Sequence, residues 1–190
     1  MIHIFQYAPM GAGKDFVAEY LEQHHGFLSV ALADGMRSYI SKNKPDYVWK
    51  SDRALEISVG EKHREWFGAD FWCKYADQRI ASILGDFKAT DLIGYNGVII
   101  RDGRFPHEYE HYVNKLVFAP VKISAGEVVR LNRLIKRQGG TVDGGHFYSP
   151  NDCPIFDMPG YEIQNNGTAK ELYEAIDRQI AILREDGYDS

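Results

Sequence analysis

The chain predicts an α/β protein with a mainly parallel sheet covered by helices on both faces. Strand-like and helix-like segments alternate along its 190 residues, the pattern of βαβ units. The first strand runs straight into a glycine-rich turn and then a helix. The run Val98-Ile99-Ile100 is short and continuously apolar, as suits a strand buried on both sides. In such a sheet ligands sit beyond the carboxyl ends of the strands.

Residues 2–8 are rich in strand formers, and Lys14 to His24 places Phe16, Val17, Tyr20 and Leu21 on one helical stripe. Residues 27–32 read as a second strand, after which Asp34 is a candidate cap for a short helix from Gly35 to about Ser41. Ala54 to Leu84 is mostly helical in pattern and interrupted at Gly68-Ala69. Leu116 to Ile123 is a strand candidate in which Pro120 marks an end or a bulge. Ala125 to Arg137 reads as a helix, broken by the glycine-rich stretch 139–145. Tyr161 to Gln164 is the last strand. Thr168 and Glu171 form a capping box for a terminal helix with Leu172, Ile176, Ile180 and Leu183 on one face. No repeat or long linker divides the chain, so a single domain over 1–190 is expected. The loops after residues 8, 32, 102 and 123 and the turn at 165–167 would converge on one cleft.

The formal charge of −5 argues against a protein built to coat a nucleic acid polymer. No apolar run is long enough to span a bilayer, and Met1-Ile2-His3-Ile4-Phe5 lacks the basic start of a signal peptide. Cys73 and Cys153 are far apart and have no metal-ligand spacing, so two free thiols and a cytoplasmic location are expected. Nothing in the sequence supports or excludes a homodimer.

The segment Ala8-Pro9-Met10-Gly11-Ala12-Gly13-Lys14-Asp15 lies between the first strand and the first helix. It has the physical logic of a P-loop. Glycines let successive N–H groups turn toward phosphate oxygens, the helix N-terminus adds partial positive charge, and Lys14 reaches the β- and γ-phosphates of ATP. Gly11, Ala12, Gly13, Lys14, Asp15 and Phe16 are therefore the candidate ATP contacts at this end. Ala8 stands where the first glycine of the pattern usually sits. Asp15 replaces the hydroxyl residue that usually ligates magnesium, a task open to its carboxylate, directly or through water.

Gly13-Lys14-Asp15 resembles the P-loop ending of phage-type deoxynucleoside monophosphate kinases. It is also similar to that of animal phosphomevalonate kinases, which have Gly-Lys-Asp-Phe-Val as at Gly13 to Val17 here. Leu32-Ala-Asp-Gly-Met-Arg37, Asp102-Gly103-Arg104, and Ile163-Gln-Asn-Asn-Gly-Thr168 with Glu171-Leu172 resemble further segments in the family's order. The resemblance implies an NMP-kinase-like three-layer sandwich with a mainly parallel five-stranded sheet and a helical lid carrying arginines. It implies ATP with magnesium, and a phosphorylated small-molecule acceptor held by the helical region at about 34–84. The chain departs from the family at Ala8 and at Gly35, where proline is usual.

Phosphoryl transfer needs positioning and positive charge more than covalent help. Arg130, Arg133 and Arg137 recur at helical spacing and can line one face of a lid spanning about 125–147; the alternative is a solvated basic helix. Arg130 and Arg133 are the candidate catalytic arginines beside Lys14. Asp102 ends an apolar strand, where it serves the magnesium shell, orients the acceptor, or simply makes a turn. Arg37, Arg64 and Arg104 are candidate grips for the acceptor phosphate, since guanidinium matches phosphate oxygens in pairs. The resemblance implies that Asn166 and Gly167 fall where the ATP base would sit. Trp66, Phe67, Phe71 and Trp72 offer a base-stacking surface or, more commonly, plain core. His107 and His111 are four apart with no third ligand evident, so a structural role is expected. Two other classes compete with a kinase: a nucleotide switch, against which stands the absence of an Asn-Lys-x-Asp motif, and a nucleotide-binding module without catalysis.

Overall fold

A computed structural model describes residues 1–48, 52–84, 94–140, 147 and 158–189. Its five-stranded sheet has the order β2-β3-β1-β4-β5, with β1 at Ile2–Tyr7, β2 at Phe27–Val30, β3 at Gly97–Gly103, β4 at Ala119–Ser124 and β5 at Tyr161–Gln164. β1 runs parallel to both β3 and β4, and β4 runs parallel to β5. The helices are α1 (Lys14–His25), α2 (Ala33–Asn43), α3 (Arg53–Phe67), α4 (Phe71–Leu84), α5 (Pro106–Tyr109), α6 (Glu127–Gln138) and α7 (Ala169–Glu185). α5 continues into a π-helical stretch, Glu110–Lys115.

The chain divides into two compact units, Met1–Ser29 with Gly94–Ser190, and Val30–Ile93. In the first, the alternation of β1 sends Ile2 and Ile4 into a core with Val17 and Leu21 of α1 and Ile176, Ile180 and Leu183 of α7. His3 and Phe5 stack instead on Phe118 and Tyr112, the latter on the π-helical stretch. The sheet is thus covered on both faces, as the continuous Val98-Ile99-Ile100 run predicted; all three are fully buried. In the second unit α2, α3 and α4 close on Met36, Ile40 and Trp72, with Leu55, Val59 and Phe71 packed against them.

Several expectations change in detail. β4 begins at Ala119 rather than Leu116, and Pro120 lies inside the strand, opposite Phe5. β5 first pairs with β4 at Val121, so proline's missing N–H is not needed there. Asp34 is not the cap of α2 but a member of its first turn; Leu32 occupies the cap position. The aromatics of the middle are not all core: Trp72 is buried and donates to Gly60 O at 3.2 Å, whereas Trp66 is 65% and Phe67 59% exposed. Thr168 caps α7 as expected, with the Glu171 carboxylate returning to its N–H at 2.7 Å. Cys73 is buried. Cys153 and positions 141–145 of the glycine-rich stretch lie outside the described residues.

Candidate active site

β1 occupies the middle of the sheet and delivers its C-terminus directly into the Ala8–Gly13 loop. Gly11 and Gly13 take positive φ, 81° and 99°, the region that L side chains avoid. Ala8 keeps a negative φ, so its side chain costs nothing at the position where the pattern usually has glycine. Gly13 caps α1 with no side-chain hydrogen bond, which leaves the first N–H groups of the helix aimed along its axis at the loop. Lys14 is half-buried at the first helical position and Asp15, beside it, is exposed.

The loop is held from outside by two side chains that grip its carbonyls. Arg130 Nη1 donates to Met10 O at 3.1 Å. Asn165 Nδ2 donates to Ala12 O at 2.8 Å. In a trans peptide the C=O and the following N–H point in opposite directions. Holding these two carbonyls therefore turns the N–H groups of Gly11 and Gly13 away from Arg130 and Asn165. Inside the sheet, Gln6 is fully buried, and its Nε2 bonds both Lys14 O (2.9 Å) and Arg101 O (3.2 Å). The pairing of β1 with β3 slips between Phe5 and Tyr7, and the Gln6 amide serves the irregular carbonyl created there.

α6 brings both predicted arginines to the loop. Arg130 is only 8% exposed and its guanidinium lies 4.5 Å from the centre of the Phe147 ring. Arg133 donates Nη2 to Asn165 Oδ1 at 3.1 Å, while its Nη1 is buried with no hydrogen-bond partner among the described residues. A buried cationic N–H without an acceptor suits an incoming anion. Arg137 is exposed. The start of α6 is fixed as well, since Gly126 N donates to Asn166 Oδ1 at 2.7 Å.

Asp102 and Arg104 follow from the end of β3. Asp102 is 8% exposed and Arg104 half-buried. Their turn is secured by Glu108, one of whose carboxylate oxygens accepts from Arg104 N (2.6 Å) and Phe105 N (3.0 Å). Burial pushes the Glu108 carboxyl up to about 7 against the lowering effect of those two bonds, and the nearby Asp102 charge adds to the rise. Nothing in Pro106-His107-Glu108-Tyr109 announced a functional residue, and neither Glu108, Gln6 nor Asn165 was singled out by the sequence.

Arg37 and Arg64 belong to the other unit. Arg37 pairs with Asp34 at 3.4 Å, and Asp34 also receives Arg79 at 2.8 Å. Arg64 lies over Gly60, half-buried. Gly35 packs on Tyr75, where a Cβ would come 2.5 Å from the ring. His107 and His111 join no group of three metal-binding side chains among the described residues.

Magnesium asks for one or two carboxylates plus phosphate and water oxygens rather than a closed protein cage. Asp15, exposed beside the loop, and Asp102, at the end of β3, are hard oxygen donors of that kind. The donor chemistry fits.

No known family model matches the chain, and no curated protein matches it. Solved structures do. TT1252 from Thermus thermophilus is 19% identical, with 96% of this chain and 97% of that one covered at a TM-score of 0.57. A gluconokinase from Sinorhizobium meliloti is 13% identical over 98% and 97% of the two chains at 0.55. A shikimate kinase from Bacteroides thetaiotaomicron is 16% identical over 96% and 98% at 0.50. The fold is P-loop-kinase-like. Identities this low establish the shared fold and nothing finer. No helix among the described residues is long and apolar enough to cross a membrane.

Proposed function

We propose that the chain is an ATP-dependent phosphotransferase whose acceptor is a (deoxy)nucleoside monophosphate. The reading is carried by one observation: at the end of the central strand, the glycine loop that leads into Lys14 is tied through Asn165 to Arg133, whose Nη1 is buried with no hydrogen-bond partner among the described residues. The loop N–H groups and Lys14 bind the phosphate chain of ATP, and Asn166 and Gly167 border its base. A phosphate oxygen of the acceptor attacks the γ-phosphorus, and the bond from that phosphorus to the β,γ-bridging oxygen breaks. The products are ADP and a nucleoside diphosphate. Lys14 and Arg133 carry the positive charge that the transferred group needs in flight.

Asp15 and Asp102 are the residues that would hold magnesium, whose chemistry is to neutralise the β- and γ-phosphate oxygens. Arg104, presented by the Glu108-secured turn, binds the acceptor phosphate. The nucleotide acceptor rests on the resemblance of Gly13-Lys14-Asp15, Asp102-Gly103-Arg104 and the Asn166-Gly167 turn to the phage-type kinases. The acceptors named by the structural relatives, gluconate and shikimate, make a non-nucleotide metabolite the competing choice within the same chemistry.

The test is a coupled ADP-release assay with ATP and magnesium against a panel of dNMPs, NMPs, phosphomevalonate, gluconate and shikimate. Stimulation by a nucleoside monophosphate is expected. Stimulation by another member alone reassigns the acceptor, and no dependence on any of them removes the kinase reading.

A further inference from the structure

We propose that Asn165 is a positioning residue that locks Arg133 to the phosphate loop, so that loop, arginine and base-side turn act as one unit. The inference rests on the phosphotransferase reading above and adds to it one residue of the turn at 165–167.

Asn165 follows β5 directly, and its own N–H extends the ladder by donating to Ser124 O at 2.7 Å. That anchors its backbone to the sheet. Its side chain is 6% exposed and bonded on both sides: Nδ2 to Ala12 O at 2.8 Å, Oδ1 from Arg133 Nη2 at 3.1 Å. One amide plane therefore connects the loop to the arginine. It also packs so closely over Gly13 that a Cβ there would collide with Nδ2. The next residue, Asn166, holds the start of α6 through Gly126 N. α6 is thus tied to the same turn at its N-cap, Gly126, and in its second turn.

The amide is suited to this place by having both a donor and an acceptor. The donor fixes the Ala12–Gly13 peptide and hence the direction of the Gly13 N–H. The acceptor uses one arm of Arg133 and leaves Nη1, buried and without a protein partner among the described residues, to meet the phosphoryl group. Freed from Oδ1, the guanidinium would regain several rotamers, which weakens a contact that matters only in the transition state.

A double-mutant cycle tests this. Asn165→Ala, Arg133→Ala and the double variant are compared for kcat and for the KM of ATP, with thermal melts establishing that each is folded. Positioning predicts that Asn165→Ala lowers kcat about tenfold or more while the ATP KM changes much less. It also predicts that the loss in the double variant falls well short of the product of the two single losses, the excess over Arg133→Ala alone being what the bond to Ala12 O contributes. Losses that multiply would overturn the proposal, because a packing role does not depend on Arg133. If Asn165→Ala does not fold, Asn165→Ser runs the same cycle, and failure of both to fold assigns Asn165 to structure only. A wild-type protein that transfers no phosphate refutes the phosphotransferase reading separately; the cycle is then read on ATP affinity with a fluorescent ATP analogue. Coupling there sustains the positioning role, and multiplicative losses or absence of ATP binding end it.

Discussion

The backbones of Gly11 and Arg130 touch: a Cβ on Gly11 would lie 2.8 Å from Arg130 O and 3.1 Å from Arg130 Cβ. The phosphate loop is therefore pressed against the helix that carries the arginines, and glycine is required at position 11 for space as well as for its φ of 81°. Gly11→Ala combines a backbone collision with a disfavoured conformation. We expect a loss of more than about 1 kcal/mol of stability, together with weakened ATP binding. Chemical denaturation and nucleotide titration of the same variant check both parts.

Lys14 is the charge that the loop carries toward the β- and γ-phosphates. Lys14→Ala is expected to cost about 3–4 kcal/mol of transition-state stabilisation, a loss of two to three orders of magnitude in kcat/KM. Steady-state kinetics on a variant with an unchanged melting temperature would show it. Near-normal turnover would remove Lys14 from the mechanism.

Glu108 gives a dependence on pH with a definite sign. Its carboxyl is raised from 4.5 to about 7 by burial, so the folded state favours the protonated form. The stability this contributes is complete below about 4.5 and is lost as pH rises through about 7. Glu108→Gln keeps an oxygen for Arg104 N and Phe105 N and removes the titration. Relative to wild type, the variant should gain in Tm progressively from pH 4.5 to 7 and hold that gain above. His3, lowered to about 4 by burial, acts in the opposite direction between 6.5 and 4, but it is common to both proteins and cancels in the difference. A difference in Tm that is flat across the window would place the Glu108 titration elsewhere.

Thr168 closes the start of α7 with a reciprocal pair of bonds to Glu171, 3.3 Å from Glu171 N to Thr168 Oγ1 and 2.7 Å in return. Thr168→Ala should cost about 1 kcal/mol. α7 supplies Leu172, Ile176, Ile180 and Leu183 to the core, so the loss should appear in global unfolding by urea rather than as local fraying.

The parts legible in the sequence were those whose chemistry is contiguous. Gly11, Gly13 and Lys14 stand together, and the strand before and helix after them have clear periods. The Thr168 capping box is likewise a local pattern. Arg130 was legible as a residue but not in its setting. An arginine in a polar helix reads as solvated, whereas here it is buried against Phe147 and Met10 O. Asn165 was hidden because Asn-Asn-Gly reads as a turn, and its partners Ala12 and Arg133 are remote in sequence. Glu108 was hidden for a similar reason: its burial comes from packing, and a glutamate after Pro106 reads only as a helix start. The edges of β4 were misjudged because proline excludes only pairings that need its N–H, and the span of β5 decides which those are.

Transfer of a phosphoryl group to a nucleotide at the loop that follows β1 can be followed directly. The most direct measurement follows the label from γ-32P-ATP after incubation with magnesium and the nucleoside monophosphate that stimulates ADP release best, separating products by chromatography. Label in the nucleoside diphosphate, abolished in Lys14→Ala, is the predicted result. Label released only as inorganic phosphate, or left in ATP whatever the acceptor, would contradict it.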